Sequence, residues 1–109
     1  MSAWNEDLPF AEVAYDDTLL LQVRGEIDIA NVAQLKGQLI RAVTGPWRTV
    51  ALDLSEVAFL GVTGSHPIEE AATSCERSGR RLHIIRPQPQ VRWLLERVGV
   101  AEAIVTDVQ

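Results

Sequence analysis

The residues of this sequence that could do chemistry follow one apolar stretch. Residues 50–60 are mostly apolar, and a run of small residues, Gly61 to Ser65, comes directly after them. Such a run is typical of a turn between a buried strand and a helix. Thr63 places a hydroxyl beside the start of that helix, where free backbone N–H groups and the helix dipole favour negative charge. We therefore expect any regulatory switch of this protein to lie at this turn.

Catalytic motifs are absent from the rest of the sequence. It contains no H-E-x-x-H pair, no G-x-x-x-x-G-K-(S/T) phosphate loop and no G-x-G-x-x-G after a strand. His66 and His83 have no companion at metal-ligand spacing, so we expect no metal site and no cofactor. The adjacent carboxylates of Asp16 and Asp17 are typical of surface charge. We interpret the protein as a binding protein rather than an enzyme.

Composition limits the class of protein and its partners. The chain has 109 residues, of which 47% are hydrophobic and 23% charged, as is ordinary for one globular domain. We expect a single domain over residues 1–109, with the polar residues 1–9 frayed. The formal net charge of -5 argues against direct binding of nucleic acid, which needs a positive field. A lone cysteine, Cys75, no targeting segment and no long apolar run indicate a cytoplasmic protein without membrane insertion.

Hydrophobic periodicity predicts an alternation of strands and helices. Two strands at residues 10–14 and 19–24 form an antiparallel hairpin, and Gly25 ends the second. Asp28 or Asn31 is the expected N-cap of the helix that follows. The later elements are a helix over residues 32–43, a strand at 50–54, a helix at 65–78, a strand at 82–85, a helix at 89–98 and an edge strand at 101–105. This β-β-α-β-α-β-α order, with an optional last strand, predicts an α/β fold with a single mixed sheet.

Four segments of the chain resemble motifs of the STAS domain family, specifically its bacterial anti-anti-sigma factors. Residues 25–28 read Gly-Glu-Ile-Asp, similar to the family's G-E-(L/I)-D, and residues 50–60 are similar to its V-x-L-D-L-S-x-V-x-F-(L/M). Residues 81–87 and 91–100 resemble the fourth strand and the helix after it. The resemblance covers nearly the whole chain. It implies a protein that binds an anti-sigma factor of the serine/threonine-kinase ATPase type. This binding frees the sigma factor, and phosphorylation of the antagonist by the anti-sigma factor ends the complex.

The resemblance also assigns a site, with departures at the turn. By position, Thr63 matches the family's phosphoacceptor and Gly64 its glycine, whereas Gly61 stands where the family has Asp. Because Pro67 lacks an N–H, we expect the helix to begin near Ser65 or His66 and Thr63 to lie in the loop. The partner-binding residues implied are Asp28, Ser55, Gly61, Val62, Thr63, Gly64, Ser65 and His66, with helix 65–78 beside them.

Two versions of this mechanism and two other functions stay open from the sequence. Either Thr63 is phosphorylated, or the altered turn makes the protein a constitutive binder. STAS proteins that stand alone also bind the ATPase of lipid ABC transporters, and others sense a nucleotide or a small apolar molecule. The oligomeric state, a monomer or a weak dimer, is likewise open.

Overall fold

The computed structural model describes residues 10–105, and the predicted order of elements is confirmed there. The prediction that residues 1–9 fray lies outside the described residues. The strands are β1 Phe10–Tyr15, β2 Thr18–Ile27, β3 Thr49–Leu60, β4 Arg81–Ile85 and β5 Ile104–Val105. The helices are α1 Val32–Thr44, α2 Val62–Arg77 and α3 Pro89–Arg97, and a 3-10 turn, Ala101–Ala103, precedes β5.

The five strands form one sheet in the order β1-β2-β3-β4-β5. The β1–β2 hairpin is antiparallel and the other three pairs are parallel. Crossovers between parallel strands are as a rule right-handed, so successive crossovers in one direction place α1, α2 and α3 on the same face of the sheet, and buried residues of all three helices share one apolar core. In β2 the buried side chains of Leu19, Leu21 and Val23 alternate with partly buried ones and join the core beneath the helices.

The strand β3 is the centre of the fold, and five consecutive residues of it, Val50 to Leu54, are buried. It pairs with β2 along most of its length but with β4 only through Asp53. Beyond that point, two side chains from the segment around α3 donate hydrogen bonds to β3 in place of β4. Gln88 donates its Nε2 hydrogen to the Ser55 carbonyl at 3.0 Å, and Gln90 donates to the Ala58 carbonyl at 2.9 Å. These amides satisfy strand carbonyls that no neighbouring strand reaches.

Four predicted boundaries are wrong. The strand β3 continues to Leu60 rather than ending at residue 54, and β5 begins at Ile104 because residues 101–103 form a 3-10 turn. Gly25 does not end β2, because that strand continues to Ile27, and Gly25 instead lies at a shift in the β2–β3 register with φ +98°. A bulge of this kind accommodates an extra residue without ending the pairing. The second helix begins at Val62 rather than near residue 65, so Pro67 lies inside α2.

The side chain of Arg80, which follows α2, makes a contact with α1. Its Nη1 donates a hydrogen bond of 2.6 Å to the Val43 carbonyl in the last turn of α1. The last carbonyls of a helix have no partner within the helix. Arg80 therefore connects the end of α2 to the end of α1.

Candidate functional site

The turn between β3 and α2 lies at the carboxyl ends of the parallel strands. The Gly61 N–H donates a hydrogen bond of 3.1 Å to the Ile27 carbonyl, which is the last residue of β2. This bond joins the ends of two neighbouring strands. It places Asp28, one residue beyond Ile27, and Val62, one residue beyond Gly61, on either side of the same link. The structure thus brings together two regions that are more than 30 residues apart in sequence.

Gly64 and Ser65 lie beneath the surface of this turn. A Cβ on Gly64 would lie 2.7 Å from Leu60 Cδ1 and 2.9 Å from Ile27 Cγ2, so only glycine allows α2 to approach the strands this closely. Ser65 is 0% exposed, and its hydroxyl donates a hydrogen bond of 2.6 Å to the Val62 carbonyl. These two residues, predicted to contact a partner, instead shape the turn from below.

Thr63 is the second residue of α2, not a loop residue, and its side chain is exposed. The first turn forms because Gly61, in an extended conformation, acts as the N-cap and its carbonyl accepts the Gly64 N–H at 3.0 Å. Pro67 stands four residues after Thr63 and has no N–H, so the Thr63 carbonyl lacks its helical donor. A phosphate on Thr63 would lie in the first turn of a helix, where the dipole stabilises negative charge.

Asp28 belongs to a compact loop between β2 and α1. Its Oδ1 accepts the Ala30 N–H at 2.9 Å, and its own N–H donates to Asn31 Oδ1 at 2.9 Å. Asn31 is the N-cap of α1, but it makes no side-chain bond to the helix and instead donates to the Glu26 carbonyl at 2.8 Å. These bonds hold the exposed Asp28 carboxylate beside the turn. His66 lies one helical turn after Thr63, is exposed, and has Nδ1 3.9 Å from Glu69 Oε2.

Three exposed apolar side chains accompany this polar arrangement. Ile29 is 81% exposed, Phe59 50% and Val62 59%. Each lies within two residues of the bond between Gly61 and Ile27. Large apolar side chains that are exposed together are typical of a protein-interaction surface. We call Ile29, Phe59 and Val62 the apolar rim of Thr63. The sequence did not single out Ile29 or Phe59, because Phe59 stands between Ala58 and Leu60 in an apolar run and Ile29 carries no periodic signal.

Ser55 is the one predicted site residue that the structure does not bring to the turn. It lies six residues before Gly61, roughly 20 Å along β3. Its N–H donates to Asp53 Oδ1 at 2.9 Å and its carbonyl accepts from Gln88. Ser55 therefore serves the packing between β3 and α3.

Asp53 is a buried carboxylate within the sheet, 3% exposed. Its Oδ2 accepts a hydrogen bond of 3.0 Å from Arg86 Nη2. Burial alone raises the pKa of the Asp53 carboxyl, but the hydrogen bonds from Ser55 and the charge of Arg86 outweigh burial and lower this pKa below its usual value. Asp53 is therefore ionised at neutral pH and supports β3 rather than a proton-transfer step.

Within residues 10–105 we also considered a metal site, a reactive thiol and a membrane-spanning helix. No group of three or more His, Cys, Asp or Glu side chains in that range could hold a metal ion. Cys75 is buried, and burial raises the pKa of its thiol although Arg80 opposes part of this effect. The helices of this range are too short and too polar to cross a membrane.

Comparisons with known proteins agree with this architecture. A family model described as STAS domain matches residues 11–108. No curated protein sequence matches the chain. Among solved structures, the chain is similar to the anti-sigma factor antagonist SpoIIAA in its unphosphorylated form, with 19% identity, a TM-score of 0.78 and coverage of 92% of this chain and 89% of that one.

Two further structures resemble the chain to a similar degree. The Bacillus cell fate determinant SpoIIAA in the phosphorylated form has 18% identity and a TM-score of 0.74, with 92% of each chain covered. A putative anti-sigma factor antagonist from Thermotoga maritima has 20% identity and a TM-score of 0.78, with 87% of this chain and 82% of that one covered. At these identities the similarity establishes the fold.

Proposed function

This chain belongs to the STAS domain family, and from that premise we propose that it is an anti-sigma factor antagonist, which binds an anti-sigma factor and so releases a sigma factor in the cytoplasm. The observation that carries the proposal is the exposed hydroxyl of Thr63, held in the first turn of α2 and bordered by the apolar rim. Two of the similar structures bear the name anti-sigma factor antagonist, which favours this role over other roles of the family.

The binding surface in this proposal consists of exposed groups on both sides of the link between Gly61 and Ile27. The apolar rim supplies area that a partner removes from water, at about 25 cal/mol per Å². Asp28 and His66 provide polar contacts around it. Gly64 and Ser65 contribute by fixing the position of α2 from below.

The switch in this proposal is phosphorylation of Thr63 by the partner, an anti-sigma factor of the serine/threonine-kinase ATPase type. The similar SpoIIAA has been solved in phosphorylated and unphosphorylated forms. A phosphate adds about -1.5 to -2 charges. The phosphate would lie next to the Asp28 carboxylate and the apolar rim, and it would lose its hydration when the partner binds. Both effects oppose formation of the complex. Because a helix N-terminus tolerates a phosphate, binding is lost without unfolding.

A capture experiment tests this function. Immobilised wild-type protein and Thr63→Ala are each exposed to a lysate of the native cell, and bound proteins are identified by mass spectrometry. We expect an anti-sigma factor with a kinase domain on both, and, after addition of ATP, phosphate on residue 63 of the wild type alone. Capture of an ABC-transporter ATPase instead of an anti-sigma factor would contradict the proposed function.

A further inference from the structure

A groove of about 200 Å³ lies between α1 and α2. Its lining is mostly apolar or small, and its two charged members are Lys36 of α1 and Glu70 of α2. Both helices begin at the carboxyl end of a parallel strand and return along the sheet, so they run in the same direction. The first turns of α1 and α2 are therefore neighbours at the end of the sheet where Thr63 lies.

Thr63 belongs to the face of α2 that borders this groove. Pro67, Glu70 and Ser74 line the groove at successive turns of α2. Thr63 precedes Pro67 by four residues, and residues four apart in a helix lie on the same face, one turn from each other. The face of α2 that is turned toward α1 thus continues to the exposed side chain of Thr63. A phosphate on that side chain would lie at the end of the groove.

Lys36 approaches the same place from α1. It lines the groove together with Pro67, which is one turn below Thr63. Long side chains on a helix lean toward its N-terminus and cover the preceding turn, a rise of about 5.4 Å. Since packed helices have axes about 8–10 Å apart, an ammonium group that leans from Lys36 toward the first turn of α1 comes within reach of a phosphate on Thr63.

The charge of Lys36 is not engaged by a carboxylate. Lys36 is the only lysine of the chain and is exposed, and within residues 10–105 no carboxylate lies at salt-bridge distance from it. The cation that follows Thr63 most closely in sequence, His66, instead has Nδ1 3.9 Å from Glu69 Oε2. Lys36 is therefore the permanent cation that is available to an anion at this end of the groove.

We propose that Lys36 is a positioning residue that binds the phosphate carried by Thr63, an inference that rests on the phosphorylation proposed above. The Lys36 ammonium donates hydrogen bonds to the phosphate oxygens, and this contact connects the first turns of α1 and α2 across the groove. The negative charges of Asp28, Glu69 and Glu70 oppose the ionised phosphate, whereas Lys36 favours it. Lys36 thereby stabilises the phosphorylated form of the protein.

The test introduces phosphothreonine at residue 63 of the full-length chain during translation, so that no kinase is needed. Labelling with ¹³C-lysine gives the signal of a single side chain, because Lys36 is the only lysine. We expect the Lys36 Cε signal to shift when residue 63 carries the phosphate, and the shift to reverse as acid protonates the phosphate. A Lys36 signal that is the same with and without the phosphate would overturn the proposal.

Variants of the phosphorylated chain identify the partner of the phosphate. In ³¹P spectra, Lys36→Gln should raise the midpoint of the phosphate titration by about 0.5 pH unit, because loss of a cation favours the protonated phosphate, and Lys36→Arg should restore it. The control is Arg41→Gln, at an exposed cation of α1 that does not line the groove, and it should leave the midpoint unchanged.

A midpoint that moves in His66→Gln but not in Lys36→Gln would place the partner of the phosphate within α2 and overturn the proposal. Urea unfolding confirms that each variant is folded. Because the phosphate is introduced without an anti-sigma factor, these results are independent of the capture experiment. The anti-sigma factor role can fail while Lys36 binds the phosphate, and the reverse outcome is equally distinguishable.

Discussion

Gly64 packs so closely on Leu60 that a single added methyl group would lie 2.7 Å from Leu60 Cδ1. Ile27, at the end of the neighbouring strand, approaches the same position from the other side at 2.9 Å. The position of α2, and with it the exposure of Thr63, therefore depends on the absence of a side chain at residue 64.

Gly64→Ala should lower the free energy of unfolding by roughly 1–2 kcal/mol. Overpacking costs about 1–3 kcal/mol, and the better helix propensity of alanine offsets about 1 kcal/mol of it. Leu60 can move its terminal methyl group, but the buried, β-branched Ile27 has little freedom. Urea unfolding measures the difference. A variant as stable as the wild type would show that α2 does not depend on this contact.

Gly37→Ala is the matched change in open space, because a Cβ there has no atom within 4 Å. Gly37 lies inside α1 and is exposed. Alanine should therefore raise the free energy of unfolding by up to about 1 kcal/mol through helix propensity alone. The same urea experiment checks this. A loss of stability would mean that Gly37 has a structural role that its surroundings do not reveal.

Asp53→Asn should destabilise the protein at neutral pH by about 1–3 kcal/mol, because it removes the charge that pairs with Arg86. The pKa of Asp53 is lower in the folded chain, so its contribution is complete above the unfolded value of about 3.9 and is lost as pH falls through the folded pKa. The difference between wild type and variant should shrink below about pH 4. Asp17→Asn, which breaks an exposed pair with Arg48, should have almost no effect. A pH-independent difference for Asp53→Asn would contradict the ionised pair.

Phe59→Ser should weaken binding of the anti-sigma factor at least tenfold while leaving stability nearly unchanged. Phe59 is half exposed in the free protein, so the aromatic ring contributes mainly when a partner covers it. Calorimetric titration measures the affinity. Val13→Ser, at a similarly exposed apolar residue on β1, is the control and should bind normally. Equal affinities of the two variants for the anti-sigma factor would show that the apolar rim is not part of the interface.

Local patterns predicted most of the fold. Strand β2 was predicted from the alternation of Leu19, Leu21 and Val23, which form its buried face. Strand β3 was predicted from the continuous apolar run that begins at Val50, because both of its faces are buried there. The beginning of α2 was misplaced because Pro67 is usual in a first turn, and only the packing of Gly64 against Leu60 shows why the helix starts earlier.

Polar contacts between distant segments could not be predicted. Arg80 with Val43, and Gln88 with Ser55, join residues more than 30 positions apart. Surface-type residues carry no periodic signal of such a partner. The sequence predicted that a turn and a helix follow the strand at residues 50–60, whereas the burial of Gly64 and Ser65 and the remoteness of Ser55 emerged only from the three-dimensional arrangement.

The most direct test of the proposed switch compares Thr63→Glu with Thr73→Glu in binding to the purified anti-sigma factor. Thr73 is exposed on the same helix, about 15 Å further along it. Thr63→Glu should bind at least tenfold more weakly than wild type with an unchanged far-UV circular dichroism spectrum, while Thr73→Glu should bind normally. If Thr63→Glu binds as tightly as wild type, negative charge at this turn does not control the complex, and the proposed switch is wrong.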